Sequence, residues 1–219
     1  MLFMWSIKSH NKTQQALQWW FFRQSLKLSM EAEKIRDGLL QESFTIRRNL
    51  ELLPADNLEL SVNKAQECLE KTDNFHQSLA QLSDRLFPSY LQDSLPLAIE
   101  CLLEPWLTSH PDLYFHIDIP SNWRNEPADR SLIVLRSLEE LLRITLPDIL
   151  TQVSIYISLT KLRNMGQLKV KITYPDVTAL NMYSNIPELG YLYESFRFLT
   201  SGKCFCRSQD LSAAWYFLW

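Results

Sequence analysis

Residues 28–53 carry a seam whose steps alternate between three and four: Leu28, Ala32, Ile35, Leu39, Ser43, Ile46, Leu50 and Leu53. That spacing predicts one long amphipathic helix with a narrow apolar stripe. After a break at Pro54 the same step returns at Val62, Ala65, Leu69, Thr72, His76, Leu79, Ser83 and Leu86, and Pro88 ends it. Two helices joined by a short polar turn make an antiparallel hairpin. A hairpin standing alone leaves part of each stripe in water, so two copies are expected to pair into a four-helix bundle, making the chain a homodimer.

From Ser89 the period changes. Residues 94–107 and 131–146 read as helices, 114–119, 153–159 and 168–174 as strands, and the tail as a helix over 189–199 followed by strands over 203–207 and 213–219. This order predicts an α/β sandwich with helices on one sheet face, and an α+β chain overall. Three parts follow: an aromatic N-terminal arm over 1–25, a two-helix dimerisation module over 26–88 and an α/β domain over 89–219.

The arm holds Trp5, Trp19, Trp20, Phe21 and Phe22 beside Lys8, Lys12, Arg23 and Lys27. Its longest apolar run is too short to cross a bilayer, and it lacks the layout of a signal peptide. Leu17, Trp20 and Phe21 capping the end of the bundle is the favoured reading; Trp19, Trp20 and Phe21 gripping a partner, or resting on a membrane surface, is the other. Net charge is -3, from 22 basic and 25 acidic residues, which argues against a broad nucleic-acid footprint. Cysteines stand at 68, 101, 204 and 206, and only Cys204 and Cys206 are close; two thiols make half a metal site, so free thiols in a reducing, cytoplasmic compartment are expected and no metal. No partnered nucleophile or zinc spacing accompanies His10, His76, His110 or His116, and His76 on the seam is expected to be a buried packing residue.

The run Ile35-Arg36-Asp37-Gly38-Leu39-Leu40-Gln41 resembles the dimerisation and phosphoacceptor helix of sensor histidine kinases of the nitrate-sensor type, which read L-H-D-G-L-L-Q there. Where that family has its phosphorylated histidine, this chain has Arg36. A guanidinium stays protonated and offers no lone pair to accept a phosphoryl group. The second half is similar in order and length to the ATP-binding domain shared by histidine kinases, gyrase B and Hsp90. Residues 136–144 resemble its R-I-V-Q-E-A-L-T-N helix, so Glu140 matches the acidic residue and Ile144 falls where the resemblance implies a magnesium-holding asparagine. An alkyl chain supplies no oxygen to a hard cation. Pro147 and Asp148 replace the usual arginine and histidine. Asp176 matches the adenine-binding aspartate but no glycine follows it, and Gly190 alone remains of the phosphate turn. Tyr183, Tyr191, Tyr193, Phe196 and Phe198 are expected to fill the region of lid and pocket.

The resemblance therefore implies a degenerate nucleotide site at Glu140, Ile144, Asp176 and Gly190, with no cofactor. It also implies a non-catalytic signalling or scaffolding protein that docks a response-regulator-like partner through Arg36, Asp37 and Gln41. In the resembled family the glutamine at this offset orients a water that hydrolyses the regulator's acyl phosphate. A phosphatase using Gln41 and Asp37 is thus one alternative; a residual kinase and an assembly subunit of a larger complex are the others.

Overall fold

The computed structural model describes residues 2–53, 58–91, 94–109, 113–146 and 153–219, with the backbone alone for residues 2–9, Leu58 and Ser89. Pro54, His110, Pro147 and Asp148 lie outside those residues. The fold is α+β. Its elements are α1 (Leu2–Lys34), a π-helical stretch (Ile35–Leu39), α2 (Leu40–Glu51), α3 (Leu58–Leu86), α4 (Leu95–Ser109), β1 (Tyr114–Asp118), α5 (Ala128–Thr145), β2 (Ser154–Leu162), β3 (Met165–Thr173), α6 (Val177–Ser184), α7 (Pro187–Thr200), β4 (Lys203–Gln209) and β5 (Ser212–Leu218). The chain divides into two compact units, Met1–Phe21 with Tyr90–Trp219, and Phe22–Ser89.

In the unit of residues 22–89, the π-helical stretch and α2 run along α3. The pairing is antiparallel: Arg85 Nε, near the end of α3, donates to Glu31 Oε2 at 3.1 Å, and Lys34 Nζ donates to Glu31 Oε1 at 2.8 Å. Burial pushes the Glu31 carboxyl up, but the hydrogen bonds and charges of Lys34 and Arg85 outweigh it and hold it below its ordinary value.

The hairpin contact on α3 lies one residue away from the expected stripe. Cys68 and Leu82 are buried and Phe75 is half-buried, whereas Val62, Leu69 and Leu79 are 59%, 55% and 45% exposed and His76 is exposed. His76 is therefore not the buried packing residue that heptad counting predicts; the face of Phe75 turns inward. On the first helix Ile35, Leu39, Ile46 and Leu53 are half-buried as expected, but Leu28, Ala32, Ser43 and Leu50 are exposed. In their place Lys27 and Glu31 before the π-helical stretch and Glu42 and Asn49 after it turn inward, so the contact uses the strip one residue from the apolar stripe, as on α3. Ion pairs such as those of Glu31 with Lys34 and Arg85 hold it.

The other unit is built on a five-stranded sheet of order β1-β2-β3-β5-β4, in which only the β1–β2 pair is parallel. Alternate side chains of the strands, Ile155, Ile157, Val170, Ile172, Trp215 and Phe217, are fully buried and form one core with Leu138, Leu141 and Leu142 of α5 and Leu192 and Phe196 of α7. At the start of the central strand β3, Gly166 exchanges backbone hydrogen bonds with Trp219 (2.8 and 3.1 Å), and a Cβ on it would lie 2.7 Å from the Trp219 indole. Only glycine permits that approach.

Residues 2–21 are helical, and the described part of that helix packs on α7. Ala16 is fully buried, Ser195 Oγ donates to the Ala16 carbonyl at 2.8 Å, Lys12 Nζ meets Glu194 Oε1 at 3.2 Å, and the rings of Trp19 and Tyr191 lie 6.2 Å apart. Trp19 and Trp20 thus pack against the α/β core, and Phe21 is 73% exposed. The small Ala16 lets the two helix backbones come close, a cue carried by no apolar periodicity.

Candidate functional site

Two groups of residues bear on function. The first lies on the hairpin. Arg36 and Asp37 sit in the π-helical stretch, where Arg36 Nε donates to Asp37 Oδ1 at 3.1 Å while both side chains stay about two-thirds exposed (67% and 66%). Gly38 between them and α2 has open space where a Cβ would stand. Gln41 follows on α2, exposed, its carbonyl accepting from Thr45 Oγ1 at 2.9 Å. Asp37 and Gln41 stand four apart across the junction of the π-helical stretch and α2, a spacing of about one helical turn that leaves them neighbours along the helix.

The residues named for partner contact in the N-terminal helix belong to the other unit. Trp19 and Trp20 are engaged with its core, which leaves Phe21 as the exposed one of the three. Phe21 and Phe198 rim a groove of about 490 Å³, shared with His10, Gln14, Leu17 and Gln18.

The second group comprises the four residues of the degenerate nucleotide site. Glu140 is 1% exposed and accepts from Arg143 Nη1 at 3.4 Å, so it is a buried ionic residue rather than an ordinary helix-edge carboxylate. Ile144 is half-buried and packs on the core. Asp176 caps α6, a helix that the sequence did not announce: its carboxylate accepts from the Ala179 backbone N–H at 2.8 Å. Gly190 lies within α7, with open space at its Cβ position, so the expected phosphate turn is regular helix here. Neither the groove described above nor a smaller cavity of about 110 Å³ beside Trp123, Arg124 and Glu126 is lined by any of these four residues.

The aromatic residues expected to crowd the pocket divide by location. Phe196 is in the core, edge-on to Phe217 at 5.0 Å; Tyr183 stacks on Tyr174 at 6.1 Å; Tyr193 Oη accepts from Trp215 Nε1 at 2.8 Å; Phe198 is 59% exposed. Tyr174, buried with its hydroxyl 3.5 Å from the Thr145 carbonyl, was not singled out by sequence. Its place directly before the Pro175-Asp176 cap was the available signal. Burial pushes the hydroxyls of Tyr174 and Tyr193 and the thiols of Cys204 and Cys206 up, so all four are protonated at neutral pH and poor nucleophiles. Cys101 is an exposed free thiol. Among the described residues no group of three or more His, Cys, Asp or Glu is arranged to hold a metal ion, and no helix is long and apolar enough to cross a membrane.

No family model matches the chain, and no curated protein matches it. Among solved structures it is similar to the catalytic domain of the histidine kinase ThkA, at 11% identity and a TM-score of 0.41, over 57% of this chain and 89% of that one. It is also similar to the Acinetobacter baumannii histidine kinase AdeS, at 11% identity and a TM-score of 0.37, over 85% and 96%. A third is the histidine kinase domain of a blue-light-activated histidine kinase from Erythrobacter litoralis, at 8% identity and a TM-score of 0.47, over 83% and 93%. With every TM-score below one half, these likenesses assign neither family nor activity.

Proposed function

We propose that this protein is a histidine-kinase-like signalling or scaffold protein without kinase activity, which dimerises through its helical hairpin and docks a response-regulator-like partner on the face of Arg36, Asp37 and Gln41. The observation that carries the reading is Arg36. It stands, exposed, at the position of the motif where a nucleophilic imidazole would be needed, and its guanidinium has no lone pair to give. The nucleotide side supports the same conclusion: Ile144 offers no ligand to magnesium, and Asp176 uses one carboxylate oxygen as the N-cap of α6. Residues 22–89 would supply the dimer contact, because their outward stripe of Val62, Leu69 and Leu79 is apolar and uncovered.

The test is a pull-down with the full chain beside its Arg36→Glu variant, with calorimetry of Mg-ATP on the same protein. Capture of a receiver-domain protein that the variant no longer captures is the expected result, with no heat from Mg-ATP. Micromolar ATP binding would return the chain to the kinases, and capture unaffected by Arg36→Glu would remove the docking face. Should the captured regulator lose its phosphate on mixing, and keep it with Gln41→Ala, the scaffold is a phosphatase working by an oriented water.

A further inference from the structure

The helices cover one face of the sheet, and the alternate side chains of the strands look out on the other. On that open face the ring of His116 stacks on Tyr156 at 5.3 Å and 12°, and Phe205 stacks on Tyr216 at 5.0 Å and 17°. Lys169 joins the two pairs, its ammonium 5.7 Å from the Tyr156 ring and 5.8 Å from that of Tyr216. Arg207 lies 5.4 Å from Phe205 and 5.8 Å from Tyr216. The register explains most of the row: His116 faces Tyr156, Lys169 faces Tyr216 and Tyr216 faces Phe205, while Tyr156 faces Lys171 and is reached by Lys169 diagonally, so a stepped line of rings and cations crosses all five strands.

Charge is segregated there. Among the described strand residues, Lys169, Lys171, Lys203 and Arg207 share the open face with one acid, Asp118, whose carboxylate accepts the Tyr156 hydroxyl at 2.9 Å. A chain of net charge -3 therefore carries a positive sheet face, which bulk composition conceals. β1 and β4 are the sheet edges, so among the described residues no strand lies beyond His116 or Phe205 and each row end can take a further flat group.

We infer that this open sheet face binds single-stranded nucleic acid, with phosphates on Lys169, Lys171 and Arg207 and bases continuing the ring stacks at His116 and Phe205. A polyanion of phosphates alternating with flat bases matches cations alternating with rings. An acidic polypeptide would use the cations and leave the rings without partners. A duplex hides its base faces and is read by an element that enters a groove, which a flat platform does not do.

The experiment is fluorescence anisotropy of the full chain with a labelled single-stranded oligonucleotide, a duplex of the same sequence, and polyglutamate as a competitor. The single strand is expected to bind most tightly, with an affinity that falls as salt rises by about 0.7 logarithmic unit per phosphate neutralised. Lys171→Gln is expected to flatten that slope by about one such step, and Phe205→Ala and His116→Ala each to weaken binding about tenfold. His116 is exposed, so its variant reports on stacking even where Phe205→Ala disturbs the sheet. Equal binding of duplex or effective competition by polyglutamate, wild-type affinity in both ring variants, or no binding at low salt would each overturn the inference. None of these outcomes bears on Arg36 or on the hairpin.

Discussion

The α/β unit and the hairpin solve the burial problem differently. The first has a complete core: Trp215, Phe217, Phe196, Ile155, Ile157 and Leu141 are fully buried, and Trp219 packs closely on Gly166 at the end of the central strand pair. In the second, among the described residues, Glu31, Cys68 and Leu82 are the ones buried, while Phe22, Leu26, Met30, Leu40, Phe44, Val62, Leu69 and Leu79 are exposed. A unit that leaves so much apolar surface in water is unfinished by itself, whereas one with a closed core is finished. Stability of the α/β unit should therefore respond to its own side chains, and that of the hairpin to protein concentration.

The largest effect is expected in the closed core. Trp215 is fully buried and donates to Tyr193 Oη, so Trp215→Ala removes a large side chain and leaves a buried hydroxyl short of a partner. A loss of about 3–5 kcal/mol is expected, read as a lowered midpoint in urea unfolding of the full chain. Next comes the apolar stripe. Val62→Glu with Leu69→Glu places two charges on the outer face of α3, away from the half-buried Phe75. Sedimentation equilibrium should show a dimer for the wild type and a monomer for the double variant, with the urea transition of the α/β unit unmoved. A wild-type monomer at all concentrations would end the contrast between the two units.

How far the sequence reached follows the same division. The strands were legible because their alternation is dictated by one buried face, and α5 because Leu135, Leu138, Leu141 and Leu142 repeat at helical spacing. The hairpin helices were legible as helices, but not their facing: counting in sevens finds the widest apolar stripe, and the intramolecular contact uses the strip beside it. A π-helical turn leaves no mark in composition, so the one at Ile35–Leu39 was invisible. Of the site, Arg36 and Ile144 were readable as absences of chemistry, since what they cannot do depends on the side chain alone. The use of Asp176 as a cap depends on α6, a short helix whose apolar residues Val177, Ala179 and Leu180 gave no clear period. The placement of Trp19 and Trp20 depends on contacts with α7, more than 160 residues away in sequence.

The cap gives a smaller test. Asp176→Ala should cost about 1 kcal/mol, as loss of a helix N-cap does, and alter the protection of the α6 amides in hydrogen exchange. A nucleotide-binding aspartate would give the opposite signature, little change in protection and a loss of ATP binding.

The smallest effect lies in the hairpin and sharpens the comparison, because the buried acid there is held by charge rather than by packing. Glu31 has a folded-state pKa below its ordinary value, so the stability it adds is fully present above the ordinary carboxylate range and is lost as pH falls through the folded value. Lys34 and Arg85 are themselves about half exposed (54% and 42%), which screens the pair and limits the contribution to about 1 kcal/mol or less. Helicity of the full chain, followed by circular dichroism from pH 7 to pH 3, should fall at the acid end, and Glu31→Gln should flatten that part of the curve while lowering the neutral plateau slightly. An unchanged acid limb in Glu31→Gln would mean that the two helix ends are held by the apolar contacts of Leu82 and its neighbours, and that the hairpin resembles the α/β unit more than its exposed stripe suggests.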